Sequence, residues 1–569
     1  MNTVKYMISK TSTLLCALCL LCSLCVTSCG DVFDTDSTSI VVDNGEHMER
    51  PGDSLYSAMG ILAQFQRLGE RYVLLGELRG DLMAATSDAD KDLQDVANFA
   101  IGEGNLYADR RDYYAVINNC NFALERMDTA IVDYQTKVML PEYAAIRALR
   151  GWTYWQMALT FGKVNYIQQP LLSLESTLND YPVKNIDEVA QLLIDDLTPY
   201  LGIRALDYGA VDGIQTRSMF VPLPLLLADL HLYLNHYAEA AQLYYGYIYD
   251  HQLTISEGYS NDWNTNTRTE ATMNHAGSYT GEMIFQMAYN SDARGYHPSL
   301  LRLAYNTVPS IVPAQSFVDD MSRRMFFFTP VNGQTVGAYF LNDLRGQAIT
   351  RSGRSQASTY GTFSFQSNQD ILLINKYNLA QTTDGSGYDP ENEANPSLNF
   401  TRQIPLLRTP HVYLRLAEAL NRLGKPSLAF ATLKYGLTEE TLFDNQRVQP
   451  WELQGEPYTN FSWAHANGSN QNVGTARRGL GRGVPFDKDN YVIGQQASLE
   501  DSILVVEDMI LEEMAAETAF EGNRFFDLLR ISRHRDQWPA FAAERVCRRF
   551  EDSESMRTRL NDTNAWWLK

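Results

Sequence analysis

A mainly α-helical fold is predicted, built from about four helical hairpins with long irregular insertions that contain minor β elements. Three observations point to it. Apolar residues recur at spacings of three and four in paired stretches, the mark of amphipathic helices. Glycine stands where several of these stretches must stop, and proline where several must start. Between the pairs run the segments 255–310, 329–400 and 444–497, in which no helical period is sustained.

Residues 1–28 stand apart from this body. Lys5 and Lys10 precede an apolar run from Leu14 to Val26, which ends in small residues, as in a secretory signal that is removed. The run is shorter than the ~20 residues needed to cross a bilayer core. The break falls immediately before Cys29. That placement resembles a bacterial lipoprotein signal, in which Cys29 becomes the lipid-bearing first residue, and several acyl chains there anchor stably. Cys19, Cys22, Cys25 and Cys29 also reproduce the spacing of an iron–sulfur run. The apolar residues between them offer a cluster little support, and only Cys120 and Cys547 remain elsewhere, so no cofactor is expected. Those two cysteines are expected to be buried free thiols. Residues 29–51 are polar and aperiodic, an acylated tether leading into a single domain at 52–569.

In that domain Ser54–Arg67 reads as a first helix, followed by the apolar run Tyr72–Leu75. Arg79-Gly80-Asp81 spells an adhesion-type tripeptide, which three residues produce readily by chance; Asp81 is carried forward as a ligand-binding candidate. The first hairpin joins Asp112–Met127, with Tyr114, Ile117, Cys120 and Leu124 in register, to Glu142–Phe161, with Ala145, Ala148, Leu149, Trp152 and Leu159, through a short polar link. Gly162 is its expected C-cap. The second occupies 221–250 and turns at Asn235-His236. The third occupies 411–437, where Gly424 ends one helix and Pro426 opens the next. The fourth pairs Leu499–Glu521 with Asn523–Arg530 across Gly522. Helix–turn–helix units of about 34 residues are tetratricopeptide-like. Here they are scattered, so the stack must assemble from distant segments. Val336, Ala338 and Phe340, then Phe363 and Phe365, alternate weakly and suggest short strands in 329–400. Long insertions on a rigid frame usually carry the working surface.

The chain has a net charge of −21, or −23 without Lys5 and Lys10 of the removed segment, which disfavours nucleic acid as a partner. No histidine pair has HExxH spacing; His231 and His236, five apart, are expected on different helix faces, so no metal site is expected. Neither a nucleophile elbow nor a phosphate loop occurs, and Gly479–Gly483 reads as a flexible loop. Glu513, Glu517 and Glu521 form one stripe, whereas a glycosidase needs two carboxylates facing each other across roughly 5–9.5 Å. They are expected to pair with Arg524, Arg530 and the amides of the next turn, leaving no catalytic residue and no enzyme. A saccharide site needs exposed rings flanked by amides and carboxylates. Tyr259, Asn261, Asp262, Trp263 and Asn264 offer that mixture in one loop, and Tyr289, Asn290, Asp292, Arg294 and Tyr296 in another. The same rings would equally serve to pin loops to the helical body.

The stretch ILEEMAAETAFEGNRFFDLLR (510–530) resembles the C-terminal hallmark of the SusD/RagB family of outer-membrane nutrient-binding lipoproteins. LLRTPHVYLRLAEALNRLGKP (406–426), RALRGWTYWQMALTFGKV (147–164) and YYAVINNCNFALERMD (113–128) resemble its preceding repeat helices. The resemblance implies four tetratricopeptide-like units and a non-enzymatic protein displayed outward on the outer membrane. It would capture an oligosaccharide, or alternatively a peptide, and pass it to a SusC-like TonB-dependent transporter that it caps as a lid; a surface glycan-degrading enzyme is the more distant alternative. It also implies ligand-binding aromatics near the N-terminal helices, which singles out Tyr107. The ending Trp566-Trp567-Leu568-Lys569 departs from the family's proline-rich end.

Overall fold

Each predicted helical pair forms in the computed structural model, which describes residues 51–569 apart chiefly from 257–281, 290–295, 329–338, 350–354, 365–369, 378–402 and 481–490. The signal, Cys29 and the tether lie outside the described residues, except Pro51, which already belongs to the first helix. The first pair is Arg111–Arg126 and Leu140–Phe161. Its link is longer than expected and holds a small hairpin, Val132–Asp133 against Thr136–Lys137. Its second helix is buried almost all round, so it runs through the interior instead of across the surface. Gly162 ends it with a left-handed φ of 72°, its N–H reaching the Ala158 carbonyl. The other pairs are Leu223–Tyr233 with Tyr237–His251, Thr409–Arg422 with Pro426–Lys434, and Leu499–Thr518 with Arg524–His534.

The Leu499–Thr518 helix stops short of the predicted Glu521, because Phe520 (φ 66°) and Gly522 (φ 89°) turn the chain through the left-handed region. Gly522 also meets Gly76 of the Gly69–Leu78 helix backbone to backbone. A Cβ on Gly76 would stand 1.8 Å from the Gly522 carbonyl oxygen, so only glycine allows the contact. The Tyr72–Leu75 run belongs to that helix, which follows the first one, Pro51–Phe65. Helix Ile186–Leu197 stands outside the predicted pairs and starts on a capping box of Asn185 and Glu188. Trp152 sits where these parts meet, its ring centroid 5.0 Å from that of Phe65, 5.6 Å from Tyr72 and 6.0 Å from Phe285.

The described strands make two-stranded antiparallel pairs. Met283–Ala288 lies along Gln403–Arg408, with Gln403 opposite Ala288, and so ties the first insertion to the start of the third hairpin. Met325–Phe328, just before the second insertion, pairs with Tyr339–Asn342 inside it, and Tyr360–Ser364 pairs with Asp370–Ile374. Phe340 and Phe363 fall in these strands; Val336, Ala338 and Phe365 lie outside the described residues. The chain end is packed. Trp566 is buried and stacks on Phe525 at 5.6 Å, and the Leu568 N–H donates to the Thr160 carbonyl. Cys120 and Cys547 are buried free thiols.

Candidate ligand-binding site

Tyr107 and Tyr296, far apart in sequence, are electrostatic neighbours beside the same pair of residues, Glu70 and Arg71. The short turn Leu106–Ala108 carries Tyr107 and is held from both sides. The Asn105 side chain accepts from the Tyr107 N–H at 2.9 Å and donates to the Asp92 carbonyl. Arg71 donates to the carbonyls of Leu106 (2.9 Å) and Asp109, with Asp112 at 3.8 Å. Glu70 fixes the other side by accepting from the backbone N–H and the hydroxyl of Ser299, three residues after Tyr296. Tyr296 remains 36% exposed and Leu106 66% exposed, while Tyr107 is half-buried. Two phenol rings and an aliphatic side chain are thus presented beside a half-buried carboxylate and a guanidinium. Burial, and then the Glu70 carboxylate, push both phenols above their usual range, so they stay protonated and able to donate. Burial also raises the Glu70 carboxyl, against the Ser299 hydrogen bonds.

Other predicted site residues are placed differently. Tyr289 is buried beneath Tyr296, ring centroids 6.1 Å apart, and its hydroxyl donates to the Gln66 carbonyl; it supports the exposed ring instead of offering its own. Asp81 does not face a ligand: it is 8% exposed, and both its oxygens accept from Arg524, at 2.5 and 2.9 Å. Arg79 is buried too, over the Phe525 ring at 4.0 Å, so the tripeptide lies in the core. Tyr259, Trp263 and Asn264, with Asn290, Asp292 and Arg294, lie outside the described residues. Glu70, Arg71 and Leu106 were not singled out from sequence, although a Glu-Arg step at the start of an otherwise apolar helix is a visible irregularity.

The glutamate stripe is structural, but its partners differ from those expected. Arg524 is taken by Asp81, and Arg530 by Glu418 and Asp527. Glu513 pairs with Arg324 (2.6 Å) and Arg345, Glu517 with Arg478 (2.9 Å) and Arg408 (3.4 Å), and Glu521 with Arg408 (2.7 Å) and Lys376. The amide of the turn, Gly522 N–H, donates to Glu77 instead. Gly479 is buried against the same cluster, where a Cβ would come within 2.5 Å of Asp343 Oδ1, so the start of the glycine-rich loop is fixed. His231 and His236 also depart from expectation. The turn at Asn235 (φ 65°) folds the chain back and brings their Nδ1 atoms to 3.2 Å. Among the described residues no group of three or more His, Cys, Asp or Glu could hold a metal ion. The cavity lined by Trp152, Tyr233 and Arg415 measures about 40 Å3, room for a few waters and not for a sugar ring.

No family model matches the chain. A SusD-like protein of Formosa agariphila is 23% identical over 426 residues, which are 71% of this chain and 77% of that protein. A SusD superfamily structure from Bacteroides thetaiotaomicron superposes with a TM-score of 0.57 at 18% identity, covering 92% of this chain and 95% of that one. The chain is similar in sequence to a SusD-like protein and shares the fold of SusD superfamily structures. A laminarin-binding SusD-like protein has the same fold, with a TM-score of 0.53, 17% identity, and 89% and 95% of the two chains covered. The mainly helical hairpin architecture is that of these SusD superfamily structures. Among the described residues no helix is long and apolar enough to cross a membrane.

Proposed function

We propose that this chain is a SusD-family, carbohydrate-binding lipoprotein, anchored through Cys29 and displayed on the outer membrane, with no catalysis of its own. It captures an oligosaccharide and delivers it to a SusC-like TonB-dependent transporter, which it caps. The observation that carries the reading is the Tyr107–Tyr296 surface, held by Glu70 and Arg71 in a fold shared with a laminarin-binding protein. Apolar ring faces suit the C–H faces of a pyranose, and the phenol, carboxylate and guanidinium groups beside them suit its hydroxyls. Tyr259, Trp263 and Asn264, from the same 255–310 insertion as Tyr296, would add rings and amides.

Calorimetric titration of the mature chain with neutral oligosaccharides, laminari-oligosaccharides first, tests this reading. Tyr107→Ala and Tyr296→Ala should each weaken binding about tenfold, or ~1.4 kcal/mol, with the circular dichroism spectrum unchanged. Binding of peptides together with no affinity for any oligosaccharide on a glycan array would overturn it.

A further inference from the structure

Between the Gln315–Arg323 helix and the C-terminal helices Ala540–Cys547 and Ser553–Leu560 lies a concavity of about 380 Å3. Arg323, Arg548, Arg549 and Arg557 line it, and Asp319 is the one carboxylate among the lining residues. In a chain of net charge −21, four arginines lining one hollow need a reason.

How each arginine is held suggests one. Arg549 is fastened by backbone alone: it donates to the carbonyls of Met83 (2.7 Å), Leu78 (2.6 Å) and Ala97 (2.6 Å), with its guanidinium 4.6 Å from the centroid of the Phe550 ring. Its Nε is buried with no hydrogen-bond partner. No carboxylate lies within ion-pair reach of it among the described residues, and burial pushes the guanidinium down to about 9 with only Asp81 opposing. A fixed positive charge without a counter-charge favours an anion beside it. On the facing side, Arg323 and Arg548 share a single carboxylate, Asp320, at 2.7 and 2.8 Å. A guanidinium has five N–H donors in a planar fork, so both keep donors after that pairing. Arg557 is held at the rim by Glu544 and Glu554, whose side chains are mostly in water. Gln315, Ser316 and Ser553 add neutral polar groups to the lining.

We propose that this concavity is an oxyanion-binding site, taking a sulfate, phosphate or carboxylate group either as a free ion or as the substituent of an acidic ligand. Planar forks of N–H donors match the oxygens of these groups, which ammonium or neutral donors match less well. The site is separate from the Tyr107–Tyr296 surface and does not depend on the carbohydrate reading. An inorganic ion would occupy it whether or not any neutral oligosaccharide binds elsewhere.

Titration of the mature chain with sodium sulfate, against sodium chloride at matched ionic strength, is the direct test. Saturable sulfate binding is expected. It should weaken about tenfold or more in Arg323→Gln/Arg548→Gln, since each substitution removes charge-assisted hydrogen-bond donors from the anion. Arg204→Gln, at an exposed position away from the hollow, should leave it unchanged. Inorganic phosphate, glucuronate and galactose 6-sulfate, with neutral galactose as the blank, form the second arm. A sugar anion that binds tighter than sulfate identifies a substituent as the ligand, and one that binds no tighter identifies the free ion. Absence of saturable binding by all the anions, or equal binding in the double variant, overturns the proposal. Both substituted arginines are partly exposed, and the circular dichroism spectrum of the double variant verifies its fold.

Discussion

Along the Thr409–Arg422 helix, Leu414, Leu416 and Leu420 are at most 1% exposed; along and just beyond the Leu499–Thr518 helix, Glu513, Glu517 and Glu521 are equally buried yet charged. The two helices pack against each other, so the contrast lies within one scaffold. The leucines face other frame helices and are held by apolar burial. The glutamates face Arg345 and Lys376 from the second insertion, Arg478 from the third, and Arg408 at the start of the third hairpin. Segments 329–400 and 444–497 lack a sustained helical apolar face, and only scattered side chains such as Leu373, Phe461 and Val473 pack them into the core. Oriented ion pairs add to that packing, and the fork geometry of arginine helps set where each segment lands. Apolar packing builds the frame, and buried charge positions what the frame carries.

That contrast can be broken at either end. Arg408→Ala should cost most, about 3–5 kcal/mol, because it leaves buried carboxylates of Glu282, Glu517 and Glu521 short of a counter-charge. The urea midpoint reads the loss, and limited proteolysis should show new cleavage within 325–376 while helical circular dichroism persists. A loss under about 1 kcal/mol would mean that the cluster does not fasten the insertions. Leu416→Ala should come next, on the order of 3 kcal/mol for a buried leucine, but with loss of helix and insertions together.

A pH series sharpens the comparison further, because apolar burial does not titrate. Burial alone would raise the Glu517 and Glu521 carboxyls, but Arg478 and Arg408 at the first, and Arg408 and Lys376 at the second, outweigh it and hold both below the usual range. Their contribution is therefore complete above the unfolded value of ~4.3 and is lost as pH falls below it toward the folded values. Glu77 runs the other way: burial, partly offset by the Gly522 and Phe520 N–H groups, pushes it up to about 7. Its contribution is complete below ~4.3 and fades as pH rises toward that folded value. Urea midpoints should fall between about pH 5 and pH 3, and Glu77→Gln should flatten the change between about pH 5 and pH 7. An unchanged midpoint below pH ~4 would contradict the role of the stripe. The smallest effect is expected at the solvent-facing pair Lys184–Glu188, 3.0 Å apart, where Lys184→Ala should leave the midpoint of the same urea titration nearly unchanged.

The hairpins were legible because each rests on nearby residues. Ile117, Cys120 and Leu124, or Leu416 and Leu420, repeat with the helix period, and Gly162 and Gly424 stop their helices where a left-handed residue is required. The same local rules could have found Ile186–Leu197 through Asn185 and Glu188. The glutamate stripe was equally visible as spacing, and its structural role followed from the impossibility of straddling a substrate. Its partners did not follow. Arg524 and Arg530 were near in sequence, whereas Arg345, Lys376, Arg408 and Arg478 are near only in space.

Asp81 and Tyr296 show the same division. The first sits in a tripeptide that looked like a surface signal, and Arg524, 443 residues away, buries it in an ion pair. The second came from loop composition alone, and it gained a partner in Tyr107 only when Glu70 and Ser299 brought the loop to the N-terminal helices. Periodicity, caps and breakers act through backbone geometry within a few turns, so the sequence by itself determined the helical pairs, most of their limits and the family resemblance. Which distant charges and rings meet depends on how the pairs stack and where the insertions return. Tertiary structure alone decided that, because a carboxylate or a phenol carries no local mark of the partner that will satisfy it.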